Sequence, residues 1–193
     1  MAPNNKLNIN IQPPRLLCST IIKFQHLNIF ASWIDRKETL HYNEIEHIPY
    51  RFELLYHFNK NDGTTIATFH EKCDNKGPTI VIAKVTNSEQ IIGGYNPLQW
   101  DSSNSYKSTN DSFIFSFTDR TNLQSAKVGY IINNNNQHSI YCGLNYGPTF
   151  GGGHDLYCQN NATWSYSPQS YSKIDIPYSF NVDNYEVFQV IKK

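Results

Sequence analysis

Leu27, Phe30, Trp33 and Ile34 fall at i, i+3, i+6 and i+7 within Gln25–Lys37. That spacing puts them on one face of an amphipathic helix, with Arg36 and Lys37 in its last turn, where cations suit the helix dipole. Ile66, Phe69, His70 and Cys73 share a face in the same way, predicting a second helix over residues 65–75 that Thr64 or Thr65 can cap. It must stop at Gly77-Pro78, because proline supplies no N–H and glycine tolerates the left-handed conformation. Elsewhere the pattern is that of strands. Arg51–Tyr56 is one, ahead of the turn signal Asn61-Asp62-Gly63. Thr79–Val85 is continuously apolar, as in a strand buried on both faces. Gln90–Tyr95 follows, with Gly93-Gly94 marking a bulge or a close backbone approach. In Ser112–Thr118, Phe113, Phe115 and Phe117 alternate with Ser112, Ile114 and Ser116, the period of a half-buried strand. Ala126–Ile132 and Ser139–Leu144 flank Asn133–Asn136, which reads as a hairpin loop, and Tyr185–Ile191 closes the chain.

This pattern predicts an α+β, mainly β fold: a two-sheet antiparallel β-sandwich flanked by two helices. Residues 1–19, polar and carrying Pro13-Pro14, are expected to be a flexible arm or linker, leaving 20–193 as one domain. A chain of 193 residues with 39% hydrophobic and 14% aromatic content can bury a core without disulfide or metal. Sixteen basic residues balance sixteen acidic ones, so no overall field of one sign favours nucleic acid. The longest aliphatic runs are strand-sized, which argues against membrane insertion. Met1–Ile11 does not read as a signal peptide, and the expected location is the cytoplasm. Cys18, Cys73, Cys142 and Cys158 have no metal-type or disulfide-type spacing and are expected to be reduced thiols. The sequons at Asn110 and Asn161 are then chance matches.

Gly151-Gly152-Gly153-His154-Asp155 is the most chemical-looking stretch. A histidine–carboxylate pair after flexible backbone could do acid–base work, with Glu71 as a second acid, in a cryptic hydrolase or antioxidant enzyme. The plainer reading is a glycine turn entering a strand, with polar side chains satisfying loop amides. No nucleophile is tied to the pair, and the glycines lack the spacing of a phosphate loop. His70 and Cys73 supply only two neighbouring metal ligands, so neither a metal nor a cofactor is expected. Cys73 could sense oxidation, but its place in the apolar stripe favours a buried, structural thiol. The Phe113–Phe117 stripe lacks the basic frame of a base-stacking platform.

Phe69-His70-Glu71-Lys72-Cys73-Asp74-Asn75-Lys76-Gly77-Pro78-Thr79 closely resembles the helix-to-strand signature of the TLDc family. The match continues in order through Ile92-Gly93-Gly94-Tyr95, Trp100, Tyr106-Lys107-Ser108, Asp111–Ser116, Phe150–Leu156 and Tyr185–Phe188. Ala31-Ser32-Trp33-Ile34 is similar to fungal members that follow a BTB region. Where many members carry Ser-Arg-Asp-Gly before the second helix, this chain has Asn59-Lys60-Asn61-Asp62-Gly63. The resemblance implies a compact β-sandwich with flanking helices, with Phe69, Cys73, Gly77, Pro78, Gly93, Gly94, Trp100, Phe113 and Phe115 as structural positions. It brings no catalytic residues. It implies a protein-interaction domain associated with oxidative stress protection and with the vacuolar proton-pumping ATPase as partner; on the residues themselves, Gly151, Gly152, Gly153, His154 and Asp155 are the candidate partner-contact or functional loop. An adaptor module of a BTB-type protein is a further reading.

Overall fold

The computed structural model describes residues 18–37, 42, 45–132 and 135–193. Most of the expected arm at 1–19 and Asn133-Asn134 of the expected hairpin loop lie outside these residues.

The first helix, α1, spans Phe24–Ile34. It ends short of the expected Lys37 because Arg36 adopts φ 55°, while Arg36 and Lys37 donate back to the carbonyls of Trp33 and Ser32. That pair of hydrogen bonds around a left-handed residue is a Schellman cap. The second helix, α2, spans Ile66–Cys73 and gives way to left-handed Asn75 and Gly77.

Eleven strands follow the chain. They are β1 (Tyr50–Asn59), β2 (Thr79–Val85), β3 (Ile91–Asn96), β4 (Ser105–Lys107), β5 (Phe113–Phe117) and β6 (Ala126–Tyr130), then β7 (Ile140–Cys142), β8 (Thr149–Phe150), β9 (Leu156–Cys158), β10 (Thr163–Tyr166) and β11 (Ser179–Lys192). All named pairings are antiparallel and run as one path, β4-β7-β8-β9-β10-β11-β2-β3-β5-β6, with β1 on the other side of β11. The expected mainly β, antiparallel fold with two helices is therefore present. Its strands join in a single path because β11 is long enough to serve both arms.

Two cores lie on opposite faces of β2, β3, β5 and β11. Val81, Ala83, Ile92, Ile114, Tyr185 and Val187 turn toward the β7–β10 arm and meet Phe150, Leu156 and Trp164. On the other face, Ile80, Ile82, Phe113, Phe115, Phe117 and Phe188 meet Leu27 and Phe30 of α1. β5 is consequently buried at all five positions, not half-buried as its alternation predicts. Ser116 within it and Ser112 just ahead of it are accommodated by hydrogen bonds, Gln90 donating 2.9 Å to Ser116 Oγ and Ser112 pairing at 2.7 Å with the Tyr171 hydroxyl. Gly93 and Gly94 mark close approach, not a bulge. A Cβ at Gly93 would stand 1.9 Å from the Val81 carbonyl oxygen, and one at Gly94 would stand 2.6 Å from the Phe150 ring.

The Asn133–Asn136 hairpin is not formed. β6 pairs with β5 and is flanked by residues 170–172, whereas β7 pairs with β4 and β8 in the other arm. The connection is a crossover, and residues 135–138 of it form a turn of 3-10 helix.

Phe115 is fully buried, with its ring 4.9 Å from Phe30 and 5.8 Å from Trp33. Phe115→Ala should cost about 3–5 kcal/mol through lost transfer energy and a cavity under α1. Thermal denaturation should show a drop on the order of 10 °C for a domain of this size; an unchanged midpoint would mean that the helix does not seal this face.

Candidate functional site

Phe150 in β8 is fully buried against Trp100, at 5.6 Å, and Trp100 in turn lies against Phe69 of α2, at 5.9 Å. The Trp100 indole N–H donates 2.8 Å to Thr79 Oγ1. This aromatic chain fixes the point from which Gly151–Asp155 leaves the core. Gly151 takes φ 90°, and a Cβ there would come within 2.1 Å of Asp155 Oδ1. Both the conformation and the space demand glycine. The loop N–H groups find partners at once: Gly151 donates to the Ser139 carbonyl, Gly152 to Ser170 Oγ, and His154 to the Gly151 carbonyl.

Asp155 is completely buried. Its Oδ2 accepts from three successive backbone amides, those of Gln169 (2.7 Å), Ser170 (2.6 Å) and Tyr171 (2.9 Å), while its own carbonyl accepts from Ser167. A full negative charge is thus matched by converging N–H dipoles, the arrangement that makes a buried carboxylate tenable. Oδ1 is enclosed against Gly151. The carboxylate thereby ties the β8–β9 turn to the segment running beside β6.

His154, at φ 57°, points away from that interior. Its ring stacks on Tyr141 at 5.0 Å and meets Tyr146 and Tyr157 edge-on at 5.1 and 5.2 Å. Burial among these rings holds its pKa below the usual histidine value, and the Asp155 charge partly offsets that. Tyr106 extends the array. It lies opposite Tyr141 in the β4–β7 ladder, 4.8 Å away ring to ring, and its hydroxyl donates 2.9 Å to the Gly152 carbonyl. Tyr106 is among the exposed large aromatics, and Tyr141, Tyr146 and Tyr157 are half-buried.

These tyrosines were not singled out from the sequence, although a signal exists. Ile140-Tyr141-Cys142 and Leu156-Tyr157-Cys158 repeat one alternation, whose outer residues are buried and whose tyrosine is half-exposed. The structure also brings α2 to the loop, because His70 Nε2 lies 3.0 Å from the Tyr146 carbonyl and its Nδ1 lies 3.0 Å from Asp74. Glu71, the second acid considered above, lies on the exposed side of α2 and pairs with Lys72.

Among the described residues, no group of three or more His, Cys, Asp or Glu gathers as a metal site. Cys73, Cys142 and Cys158 are buried thiols. Burial raises all three pKa values, to about 11 for Cys142, about 12 for Cys158, and higher for Cys73. The reactive thiolate is scarce at each, Cys73 included. Gly77 and Pro78 line a shallow groove with Pro97, Leu98, Gln99 and Lys107. At the departure from the Ser-Arg-Asp-Gly turn, Lys60 supplies a cation that pairs with Asp183 at 2.6 Å. Asn161 is buried, donates to the Thr64 carbonyl and accepts from Tyr185.

Asp155→Ala should strand three amides, two of them in fully buried bonds, and cost at least ~3 kcal/mol, whereas Asp155→Asn, which keeps an acceptor, should cost about 1–3 kcal/mol. Chemical denaturation would rank the two. A second expectation concerns acid. His26 and His154 are both held below the ordinary 6.5, with burial the largest cause in each. The unfolded chain then binds these protons first as pH falls. Their contribution to stability is present above about pH 6.5 and lost on acidification below it. The pH dependence of Tm should be shallower in His154→Asn, since asparagine tolerates the left-handed backbone there.

Comparison with known families matches residues 19–191 to the TLDc domain. No curated protein matches the chain. No helix among the described residues is long and apolar enough to cross a membrane. With the match running from the segment ahead of α1 to the end of β11, and the Gly151–Asp155 loop inside it, the chain belongs to the TLDc domain family, a family associated with oxidative stress.

Proposed function

We propose that this domain works by binding a protein partner, not by catalysis, and that the partner is the vacuolar proton-pumping ATPase. The observation that carries the reading is the division of labour within Gly151–Asp155. Asp155 is spent on structure, locked to three amides, while Gly152, Gly153 and His154 stay at the surface beside Tyr106 and Tyr141. A rigid backbone fringed by tyrosines suits recognition, because tyrosine brings large contact area with little side-chain entropy to lose. A general base, by contrast, needs a carboxylate or imidazole open to the proton it removes. The carboxylate of this pair faces the interior, and the imidazole lies between tyrosine rings. The cytoplasm is the setting proposed for this role, consistent with three buried cysteines left as thiols.

The test adds purified domain to isolated vacuolar ATPase and follows co-sedimentation and ATP hydrolysis. Tyr106→Ser with Tyr141→Ser should weaken binding at least ~10-fold if these rings are central to the contact. His154→Ala should leave any family-type activity within a few fold, whereas loss of a catalytic base removes ~10²–10⁴-fold. No binding by the parent domain would remove this partner. Collapse of activity in a folded His154→Ala protein that still binds would favour the enzyme reading instead.

A further inference from the structure

Strand β1 has one hydrogen-bonded neighbour among the described residues, β11, and its opposite edge carries no paired strand. The orientation of that edge follows from β11. Val190 directs its N–H to the Pro78 carbonyl, on the far side from β1, and Lys193 donates to the Pro49 carbonyl. In the register Phe52↔Val190, the odd residues Arg51 and Glu53 therefore bond to β11, while Tyr50, Phe52 and Leu54 turn their N–H and C=O groups outward. A row of backbone groups with no strand partner among the described residues, ending at the bulge between Leu54 and Tyr56, is a template for another strand.

The side chains specify which strand. Arg51 and Glu53 flank Phe52 on one face and pair with each other at 2.9 Å, with 58% and 35% of their side chains exposed. Antiparallel pairing about Phe52 sets Arg51 of one chain directly opposite Glu53 of the other, and the reverse. The same register makes Phe52 face Phe52 and Tyr50 face Leu54, which are the residues with outward backbone groups. Those pairs would exchange both N–H···O bonds, and Arg51–Glu53 would fall at the closer, non-hydrogen-bonded positions where cross-strand charges interact best. Leu54, an exposed leucine, would be covered by the partner's Tyr50. A one-residue slip breaks both the hydrogen bonding and the charge match.

From this self-complementarity we infer that the free edge of β1 is a pairing site for a second copy of the same chain, joined antiparallel about Phe52. The pairing is independent of which partner the tyrosine-fringed loop takes. With only Tyr50–Leu54 in contact, the contact is small and the association weak and concentration-dependent.

Sedimentation equilibrium over a wide concentration range tests the inference on the whole chain. The parent should self-associate. Arg51→Glu alone places Glu opposite Glu, and Glu53→Arg alone places Arg opposite Arg. Each should weaken self-association roughly 10-fold or more, since two attractive cross-strand pairs become repulsive. An equimolar mixture of the two variants restores both pairs in a mixed dimer and should associate as the parent does. Mixing cannot repair the pair within each chain, so this rescue reports the intermolecular register alone. A parent that stays monomeric, single reversals that associate like the parent, or a mixture as weak as its components would each overturn the inference.

Discussion

The central strands β2, β3 and β5 are covered on both faces, by α1 on one side and by the β7–β10 arm on the other. That constraint governs the placement of polar groups, because a donor or acceptor in these layers has no solvent to turn to. Tyr171 shows the solution. Its hydroxyl donates to the Ser139 carbonyl and accepts from the Ser112 hydroxyl, linking the arms through a single buried oxygen. Ser116, Thr79 and Asn161 are answered in the same manner by Gln90, Trp100 and Tyr185. Each of these inward polar groups takes its partner from a different segment and so ties that segment to the core.

Two buried carboxylates extend this logic to the ends of the structure. Asp155 gathers the amides of Gln169, Ser170 and Tyr171. Glu186, on the α1-facing side of β11, is equally inaccessible and accepts from Ser19 Oγ at 2.5 Å and from the Thr20 amide and hydroxyl at 2.7 and 2.9 Å. Ser19 then accepts from the amides of Ile21 and Ile22, and this sets the path of the chain into α1. In both places a negative charge collects the hydrogen-bond donors of a neighbouring segment and fixes its path. Removing such a charge should loosen the segment it holds before it disturbs the strands.

Most of the framework was legible in the residues. The helical faces Leu27–Ile34 and Ile66–Cys73 and the apolar run Thr79–Val85 carry their periodicity openly, since each element is long enough to display one. β8 has two residues, and β4, β7 and β9 have three each, too few for a period to show. β5 looked half-buried because serine occupies alternate positions; only the arm that covers those serines reveals that they are interior. The Asn133–Asn136 run has hairpin composition, yet composition does not say which strands pair. At the candidate site the glycines and His154-Asp155 were visible as a motif. The inward turn of Asp155 and the outward turn of His154 depend on positive φ at both Gly151 and His154 and on amides sixteen positions away at the farthest.

Strand β11 bonds to β10 through residues 179–181, to β2 through 182–189 and to β1 through 184–192. It also supplies Tyr185, Val187 and Phe188 to the two cores. During synthesis on the ribosome, everything up to residue 178 emerges while β1, β2 and β10 still lack their shared neighbour. Hydrophobic edges of three strands therefore wait, exposed, for the last segment of the domain to clear the exit tunnel. The fold is dominated by such distant pairings, which form late and leave an aggregation-prone interval that a folding chaperone could shelter.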